Sequence, residues 1–442
     1  MREMKDSGHE TIGLVPSDWT EKRLKYLCKI QTGNEDTQNA NPEGKYPFYV
    51  RSPIVEHCDR YTFDGEGILV AGDGAGAGRI FHHVYGKYAV HQRVYRLSHF
   101  AGNADFIYYY LSNLFPHEMD KGSAQSTVPS MRLPMLLNFP LFLPSKKEQD
   151  KIVTFLDSKC SEIDAISADI QKEIETLEQY KRSVITEAVT KGLNPDVEMK
   201  DSGIKYIGAI PSAWTIRRIK DIYTLQTGFT PDTKQSDYYD DENGLDWITI
   251  ADLGSEKNIP KSTKSKISRK YVNLFRPVPT PKGSLLYSFK LSVGQVAFTD
   301  RLIFTNEAIA SFLPTNDVCL NFLYYAAFLI EYNANTNIYG AHILNQQLIK
   351  NAHIVNPPID EQHEIAKYLD SKCLEIDAIV FCKKQQIETL SRYKKSLATV
   401  YKGNIIKNLI MDCQSYTKYR PNETTGGIFV SWRRKEELPT GA

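Results

Sequence analysis

The chain has 442 residues, of which 41% are apolar and 24% are charged, so it is long enough for two or three globular domains with full cores. This composition excludes wholesale disorder. With 54 basic and 53 acidic residues the net charge is +1, which argues neither for nor against a polyanionic partner, so a nucleic-acid surface would need local clusters of basic residues.

The first twenty residues are polar, and the longest apolar stretch, residues 322–330, is too short to cross a bilayer. We therefore expect neither a signal peptide nor a transmembrane helix, and we predict a cytoplasmic location. The seven cysteines form no Cys-x-x-Cys pair and share no zinc-like spacing with histidine. We expect free thiols and no metal site.

The first predicted element is a leading segment that occurs twice. Residues 4–33 align without gaps on residues 199–228, and both copies begin with Met-Lys-Asp-Ser-Gly. Both contain a tryptophan, Trp19 or Trp214, and both end in Gln-Thr-Gly. The similarity becomes weak after this glycine, so we predict two copies of one plan whose bodies have diverged.

The divergent bodies are predicted to be mixed and strand-rich. Residues 67–97 contain short apolar runs broken by glycine, and residues 283–313 have the same rhythm. Aromatic-rich helical stretches follow at 105–115 and 321–332, and we assign their aromatic side chains to the core. The predicted fold class is α+β, with two strand-rich domains and two long helices.

Each body leads into a long helix whose apolar residues recur every seven positions, which is typical of a coiled-coil seam. Ile166 and Tyr180 supply a second apolar row in the first helix, and Lys383 interrupts the row in the second. An antiparallel pair of helices, each about 60 Å long, would bury both seams and relate the two halves by a pseudo-twofold axis. The predicted seam residues are Leu156, Ile163, Ile170, Leu177, Val184, Leu369, Ile376, Leu390 and Leu397.

These patterns divide the chain into consecutive segments. The tail after the second helix is polar, shows no periodicity and does not resemble the residues that follow the first helix. The predicted segments are a first body with its leading segment (1–143), a first long helix (144–192), a second body with its leading segment (193–356), a second long helix (357–403) and the tail (404–442).

Two motifs resemble catalytic ones, and neither is complete. Asn-Pro-Pro-Ile at 356–359 resembles the loop with which amino-methyltransferases hold a flipped adenine, but Ile359 replaces the aromatic residue and no glycine-rich cofactor loop lies upstream. The glycine-rich stretch 72–78 lacks the spacing of a phosphate-binding loop. We expect no catalytic residue, and we interpret the two motifs as the start of a helix and as a loop that approaches a ligand closely.

Basic and polar loops supply candidate nucleic-acid contacts. The run 261–270 has five basic residues and no acid, and is either a solvated surface or a phosphate-binding one formed by Lys261, Lys264, Lys266, Arg269 and Lys270. Loops at equivalent places in the two bodies carry different side chains of types that read base edges. The candidate base contacts are Arg51, Arg79, His91, Gln92, Arg93, Gln125 and Thr127 in the first body, and Lys290, Ser292, Asn306, Glu307, His342 and Asn345 in the second.

Taken in order, these segments resemble the specificity subunits of type I restriction–modification systems. The most specific stretches are 201–220 and 357–379, and the resemblance runs from Met4 to about Gly403. It implies two target recognition domains, each reading one half of a bipartite, asymmetric DNA site. It also implies a prokaryotic source and an antiparallel spacer, formed by the two long helices, that sets the gap between the half-sites.

The resemblance further implies a chain without catalytic activity or a cofactor of its own. Such a chain docks two modification subunits, which methylate adenine with S-adenosylmethionine. Restriction subunits added to this complex translocate and cleave DNA with ATP and magnesium. Two alternatives stay open from the residues alone: a self-sufficient DNA adenine methyltransferase, which the missing cofactor loop disfavours, and a coiled-coil scaffold that binds only proteins.

Overall fold

The computed structural model describes residues 2–122, 129–240, 242–254, 256–290, 292–336 and 342–399. The chain separates into two compact units, one formed by residues 1–167 with 388–442 and the other by 168–387. Each unit contains one of the predicted bodies together with parts of both long helices, so the units do not follow the consecutive segments expected from the sequence. Within the described residues, no helix is both long and apolar enough to cross a membrane.

The first unit is rich in short strands. Its elements are β1 (Met4–Asp6), β2 (Leu14–Pro16), β3 (Thr20–Arg23), β4 (Lys29–Thr32), β5 (Tyr46–Tyr49), β6 (Glu56–Cys58), β7 (Phe63–Asp64), β8 (Gly67–Ala71), β9 (Phe81–Val84), β10 (Lys87–Val90), β11 (Val94–Ser98), α1 (Ala104–Gly122), α2 (Leu133–Leu137), β12 (Pro140–Leu143) and the start of α3 (Lys146–Lys191). Its two four-stranded sheets have the strand orders β4-β11-β8-β9 and β6-β5-β10-β7, and two further pairs are β1-β2 and β12-β3. Strands β5 and β10 run parallel.

The second unit repeats this plan. Its elements are β13 (Met199–Asp201), β14 (Ala209–Pro211), β15 (Thr215–Arg218), α4 (Ile219–Ile222), β16 (Leu225–Thr227), β17 (Leu245–Ile248), β18 (Lys266–Ile267), α5 (Arg269–Phe275), β19 (Leu285–Ser288), β20 (Val296–Phe298), β21 (Phe304–Thr305), β22 (Ile309–Phe312), α6 (Leu320–Ala326), α7 (Phe328–Glu331), β23 (Asn335–Thr336), β24 (His342–Ile343), α8 (Gln346–Asn351), β25 (His353–Asn356) and α9 (Ile359–Thr399). The sheet order β16-β22-β19-β20 matches β4-β11-β8-β9, and the parallel pair β17–β21 matches β5–β10.

The two bodies thus share the strand order of one four-stranded sheet and a parallel strand pair, despite the weak similarity of their sequences. The predicted α+β class with two strand-rich domains and two long helices is confirmed. The described part of each long helix is a single continuous element, α3 with 46 residues and α9 with 41.

The repeated Met-Lys-Asp-Ser-Gly stretch forms a small hairpin in each unit. Strand β1 pairs with β2, and β13 pairs with β14 in the same register. Gly8 and Gly203 have φ angles of 70° and 72°, a left-handed conformation that favours glycine and explains why this residue is repeated. Each hairpin is followed by a buried tryptophan, and in the second unit the Trp214 indole donates to the Glu361 carboxylate on α9 (2.8 Å).

A tyrosine–aspartate hydrogen bond fastens each body to a long helix. Tyr109 of α1 donates to Asp157 of α3 over 2.6 Å, and Tyr325 of α6 donates to Asp370 of α9 over 2.5 Å. The two aspartates occupy equivalent positions in the repeated Leu-Asp-Ser-Lys-Cys stretch. Each helix therefore both supports a body and carries part of the helix pair.

The long helices pack against each other within each unit. In the second unit, Ile174 of α3 forms an apolar cluster with Ile376 and Val380 of α9. In the first unit, Ile163 of α3 and Leu397 of α9 are buried in the same core. Of the predicted seam, Leu156, Ile163, Leu369, Ile376 and Leu397 are buried, whereas Ile170, Leu177, Val184 and Leu390 are half-buried; Leu156 and Leu369 lie in the large cores that join helix to body.

Ion pairs between α3 and α9 show the relative direction of the two helices. In the second unit Glu173 pairs with Lys383 and Lys181 pairs with Asp377, the latter at 2.7 Å. From residue 173 to residue 181 of α3, the paired residue in α9 moves back from 383 to 377. The two helices therefore run antiparallel in this region. Lys383 therefore does not break the seam: most of its side chain is buried, and its ammonium group reaches a carboxylate on the other helix.

The prediction of the second apolar row was wrong. Ile166 and Tyr180 are 43% and 49% exposed. The inward row is formed instead by residues four positions after the first row, of which Ile174 is 2% exposed and Ala188 is 3% exposed. An apolar residue can follow a seam position after three or four residues, and only the partner helix decides which of them is covered.

This difference gives a matched test of the seam. Ile174→Ala should lower the free energy of unfolding of the second unit by about 2–5 kcal/mol, because it leaves a cavity in a packed cluster. Ile166→Ala, on an exposed face of the same helix, should change the stability by about 0.5 kcal/mol or less. Urea unfolding of the full chain, followed by circular dichroism, measures both. Equal effects of the two substitutions would contradict the packing described here.

Candidate nucleic-acid interface

Three loops meet at one edge of the first body. They are the loop that follows β4 (33–39), the loop between β8 and β9 (72–80) and the turn between β10 and β11 (91–93). We call these loops, together with Arg51 in the segment after β5, the first reading edge. The Gln92 side-chain amide donates to the Asp36 carboxylate over 2.8 Å, which joins the first loop to the turn.

The close approach of these loops explains the repeated Gln-Thr-Gly. A Cβ atom on Gly33 would lie 2.1 Å from the carbonyl oxygen of Val90, which no side chain tolerates. A Cβ atom on Gly228 would lie 1.9 Å from the carbonyl oxygen of Thr305 in the same way. Glycine is therefore required at both positions to bring the first loop against the neighbouring strand.

An aspartate organises the cationic part of the first reading edge. Asp73 accepts a hydrogen bond from Arg51 over 3.0 Å, and its other carboxylate oxygen lies 3.2 Å from a guanidinium nitrogen of Arg93. Asp73 is 16% exposed, whereas Arg51 and Arg93 are 42% and 64% exposed. The two arginines predicted from the sequence are thus brought together, and the acid between them was not among the predicted residues.

His91 lies inside the first body, although its residue type and position in the sequence predict a base contact. It is 3% exposed, and its Nδ1 accepts a hydrogen bond from the backbone N–H of Arg93 over 3.0 Å. The side chain supports the turn that presents Gln92 and Arg93. The prediction of a base contact is therefore wrong for His91, whose side chain is buried.

Burial lowers the pKa of His91, and Arg51 and Arg93 lower it further against the opposite effect of Asp36 and Asp73. His91 therefore binds a proton more readily in the unfolded chain than in the folded one. Its contribution to the free energy of unfolding is complete above the unfolded pKa of about 6.5 and is lost as the pH falls below that value. We expect the melting temperature of the first unit to fall between pH 7 and 5.5, and to fall less in His91→Gln. Identical pH profiles for the two proteins would contradict this prediction.

The other predicted contacts of the first body lie apart from this cluster or outside the described residues. Arg79 forms an ion pair with Asp120 of α1 and not with Asp73. Gln125 and Thr127 lie outside the described residues. Their roles as base contacts stay predictions.

The second body has an equivalent edge with different chemistry. Lys290, in the loop after β19, lies 3.6 Å from the carboxylate of Glu307, in the turn between β21 and β22. Thr230, in the loop after β16, donates a hydrogen bond to the same carboxylate. The positions of the two charges are therefore reversed. In the first body the acid, Asp73, lies in the β8–β9 loop and the base, Arg93, in the β10–β11 turn. In the second body the base, Lys290, lies in the β19–β20 loop and the acid, Glu307, in the β21–β22 turn. We call these three loops the second reading edge.

The remaining predicted contacts of the second body differ in availability. Ser292 is exposed, and Asn306 is half-buried with its side-chain oxygen accepting from the Ala308 N–H over 3.1 Å. Asn345 caps α8, accepting from the Leu348 N–H over 2.8 Å, which gives it a structural role. The backbone of His342 belongs to β24, and its side chain lies outside the described part of the structure.

The predicted basic run is spread over a loop, β18 and the start of α5. Lys261, Lys264 and Arg269 are exposed, and Lys266 is half-buried with its ammonium group donating to the Glu242 carbonyl over 3.3 Å. Lys270 forms an ion pair with Asp237. Four of the five cations are thus exposed to solvent, and three of these, Lys261, Lys264 and Arg269, are suited to phosphate contacts without breaking the Lys270–Asp237 pair.

The incomplete catalytic motif has a structural role. Asn356 ends β25, and its side-chain oxygen accepts from the Gln362 amide over 3.4 Å. The same amide donates to the Pro357 carbonyl over 2.9 Å, and in the first copy Gln149 donates to the Pro144 carbonyl over 3.0 Å. The motif therefore begins a long helix in both copies. Among the described residues, no group of three or more His, Cys, Asp or Glu could hold a metal ion.

Comparison with protein families gives one match that covers most of the chain. The family described as the type I restriction modification DNA specificity domain matches residues 16–176 and 211–389. The matched ranges include a body and part of a long helix in each copy.

Two similar curated proteins are named as specificity subunits of type I restriction enzymes. The type I restriction enzyme MjaVIII specificity subunit of Methanocaldococcus jannaschii is 24% identical over 423 residues, which cover 89% of this chain and 95% of that relative. The type I restriction enzyme EcoDI specificity subunit of Escherichia coli is 24% identical over 220 residues, and this chain spans about half of its length (49%).

Two solved structures share the fold. A chain from a study of complex assembly and conformational transition of the type I R-M system superposes with a TM-score of 0.65 at 17% identity, over 88% of this chain and 98% of that one. The HsdS subunit from Thermoanaerobacter tengcongensis gives a TM-score of 0.50 at 17% identity, over 90% of this chain and 100% of that one.

Proposed function

The chain belongs to the type I restriction–modification DNA specificity family, and on this basis we propose that it is the sequence-reading subunit of a type I restriction–modification complex. The observation that carries the proposal is the contrast between the two bodies. They share a strand order and a three-loop edge, yet the charged residues of these edges are reversed. Two bodies with the same strand order in one sheet but different charged residues in their loops suit a DNA site whose two halves differ in sequence.

The rest of the complex follows from this role. The two long helices act as the spacer that sets the gap between the half-sites, and the leading segments and helices dock two modification subunits. Those subunits supply S-adenosylmethionine and the methyl transfer to adenine, while restriction subunits supply ATP- and magnesium-dependent translocation and cleavage. The chain itself contributes no catalytic residue and acts in the cytoplasm.

Sequencing the methylated adenines of the host genome, with and without the gene for this chain, tests the proposal. We expect one bipartite motif, with two different half-sites and a fixed gap, to lose its methylation in the deletion strain. Genome methylation that is unchanged by the deletion would contradict the proposed function. As a control, the purified chain with S-adenosylmethionine but without other subunits should methylate no DNA; activity there would favour a self-sufficient methyltransferase.

A further inference from the structure

The Asp73 carboxylate holds two guanidinium groups at one point of the first reading edge. One oxygen accepts from Arg51 and the other faces Arg93. Each arginine has five N–H donors, so most of its donors stay available for a ligand. Without the carboxylate, two like charges in this position would repel each other.

The backbone fixes this acid in place. The Gly72 N–H donates to the Arg93 carbonyl over 2.8 Å, and the Met131 N–H donates to the Gly72 carbonyl over 2.8 Å. Asp73 also forms a β-bridge with Ser130. A Cβ atom on Gly72 would lie 2.8 Å from the Arg93 carbonyl oxygen, so this position favours glycine. The carboxylate is thus held on a rigid support before any ligand binds, which reduces the cost of ordering the arginines on binding.

The acid also selects the kind of group that the arginines bind. Asp73 neutralises part of the charge of the two guanidinium groups, so the cluster attracts a DNA phosphate less strongly than two unpaired arginines would. The edge of a guanine is neutral and presents two acceptors, O6 and N7, to the major groove, where a bidentate arginine is the commonest specific contact. We propose that Asp73 is a specificity-determining positioning residue that orients Arg93, supported by Arg51, to read a guanine in the half-site of the first body.

This inference rests on the proposed DNA-reading function and adds a base and a residue to it. The second body offers an internal contrast, since the strand register places Lys290 where the first body has Asp73, and Lys290 pairs with Glu307. In the described part of the structure, the three loops of the second reading edge contain no arginine. The guanine requirement should therefore belong to one half-site only.

Selection from a pool of randomised DNA duplexes tests the inference, using the full chain purified with its modification subunits. The wild-type complex should require guanine at one position of one half-site. Asp73→Asn should reduce that preference about tenfold or more, and Arg93→Lys, which keeps the charge but loses the planar fork, should reduce it about tenfold to a hundredfold. Preferences in the other half-site should stay unchanged in both variants.

Asp18→Asn is the matched control, because it breaks another aspartate–arginine pair of the first unit, with Arg2, outside the reading loops. It should leave every base preference unchanged. If Arg93→Gln keeps the guanine preference, the inference is overturned, and this variant tests the inference even if Asp73→Asn fails to fold. If Arg93→Gln instead weakens binding to all duplexes equally and reduces the slope of log affinity against log salt by about one, Arg93 binds phosphate and the inference is also overturned. A wild-type complex with no bipartite preference would overturn the proposed function itself.

Discussion

Inserting one seven-residue repeat into each long helix should lengthen the gap between the two half-sites by about three base pairs and leave both half-sites unchanged. Seven residues add about 10 Å of helix, and DNA rises about 3.4 Å per base pair. A seven-residue insertion keeps the seam faces aligned, because seven residues make two turns of a coiled-coil helix. A four-residue insertion would rotate the two seam faces relative to each other.

The gap can be read by sequencing methylated adenines in a host that carries the altered gene. A matched variant with the insertion in α3 alone, between residues 173 and 181, should lose methylation, because the ion pairs Lys181–Asp377 and Glu173–Lys383 could no longer form together. The spacer role is refuted if the double insertion preserves methylation at the original gap.

Exchanging residues 34–138 for the corresponding body of a specificity subunit with a different known target should replace one half-site completely. The affinity for the original site should fall about a thousandfold or more, toward non-specific binding. The structure explains the boundaries of the exchanged segment. Gly33 is kept because of its close approach to the strand at Val90, and β12 is kept because it pairs with β3 of the leading segment. The incoming body must supply a tyrosine that can bind Asp157.

The reciprocal exchange, of residues 229–352, should change only the other half-site. Both targets can be measured by gel shift with duplexes in which each half-site is altered separately. A single exchange that altered both half-sites would mean that the bodies do not read DNA independently. Thermal unfolding of each exchanged protein distinguishes a changed preference from a misfolded body.

The sequence predicts the long helices well because a seven-residue apolar repeat is a local property of the chain. It predicts their contacts less well. Ile166 and Ile174 are the same residue type on the same helix, and only the position of α9 makes one exposed and the other buried. The start of each long helix could also be predicted, since it depends on residues close in the sequence.

The reading edges were predicted by residue type but not by partner. Arg51, Gln92 and Arg93 carry donors that mark them as candidates, whereas Asp73 and Asp36 carry acceptors and draw attention only when the loops are seen together. His91 shares the polarity of its neighbours in the turn, and its burial depends on the fold of the whole loop. The glycine-rich stretch around Asp73 was the one local signal that this loop approaches something closely.

The division of the chain into units also fixes the order in which they can form during synthesis. The second unit is one continuous stretch, residues 168–387, and can fold as soon as it leaves the ribosome. The first unit needs residues from 388 onward, which follow its earlier part by about 220 residues, or about 10–40 s of translation. Until then Leu156 and Ile163 lack the partners Leu390 and Leu397 on α9. The unit that is made first is therefore completed last.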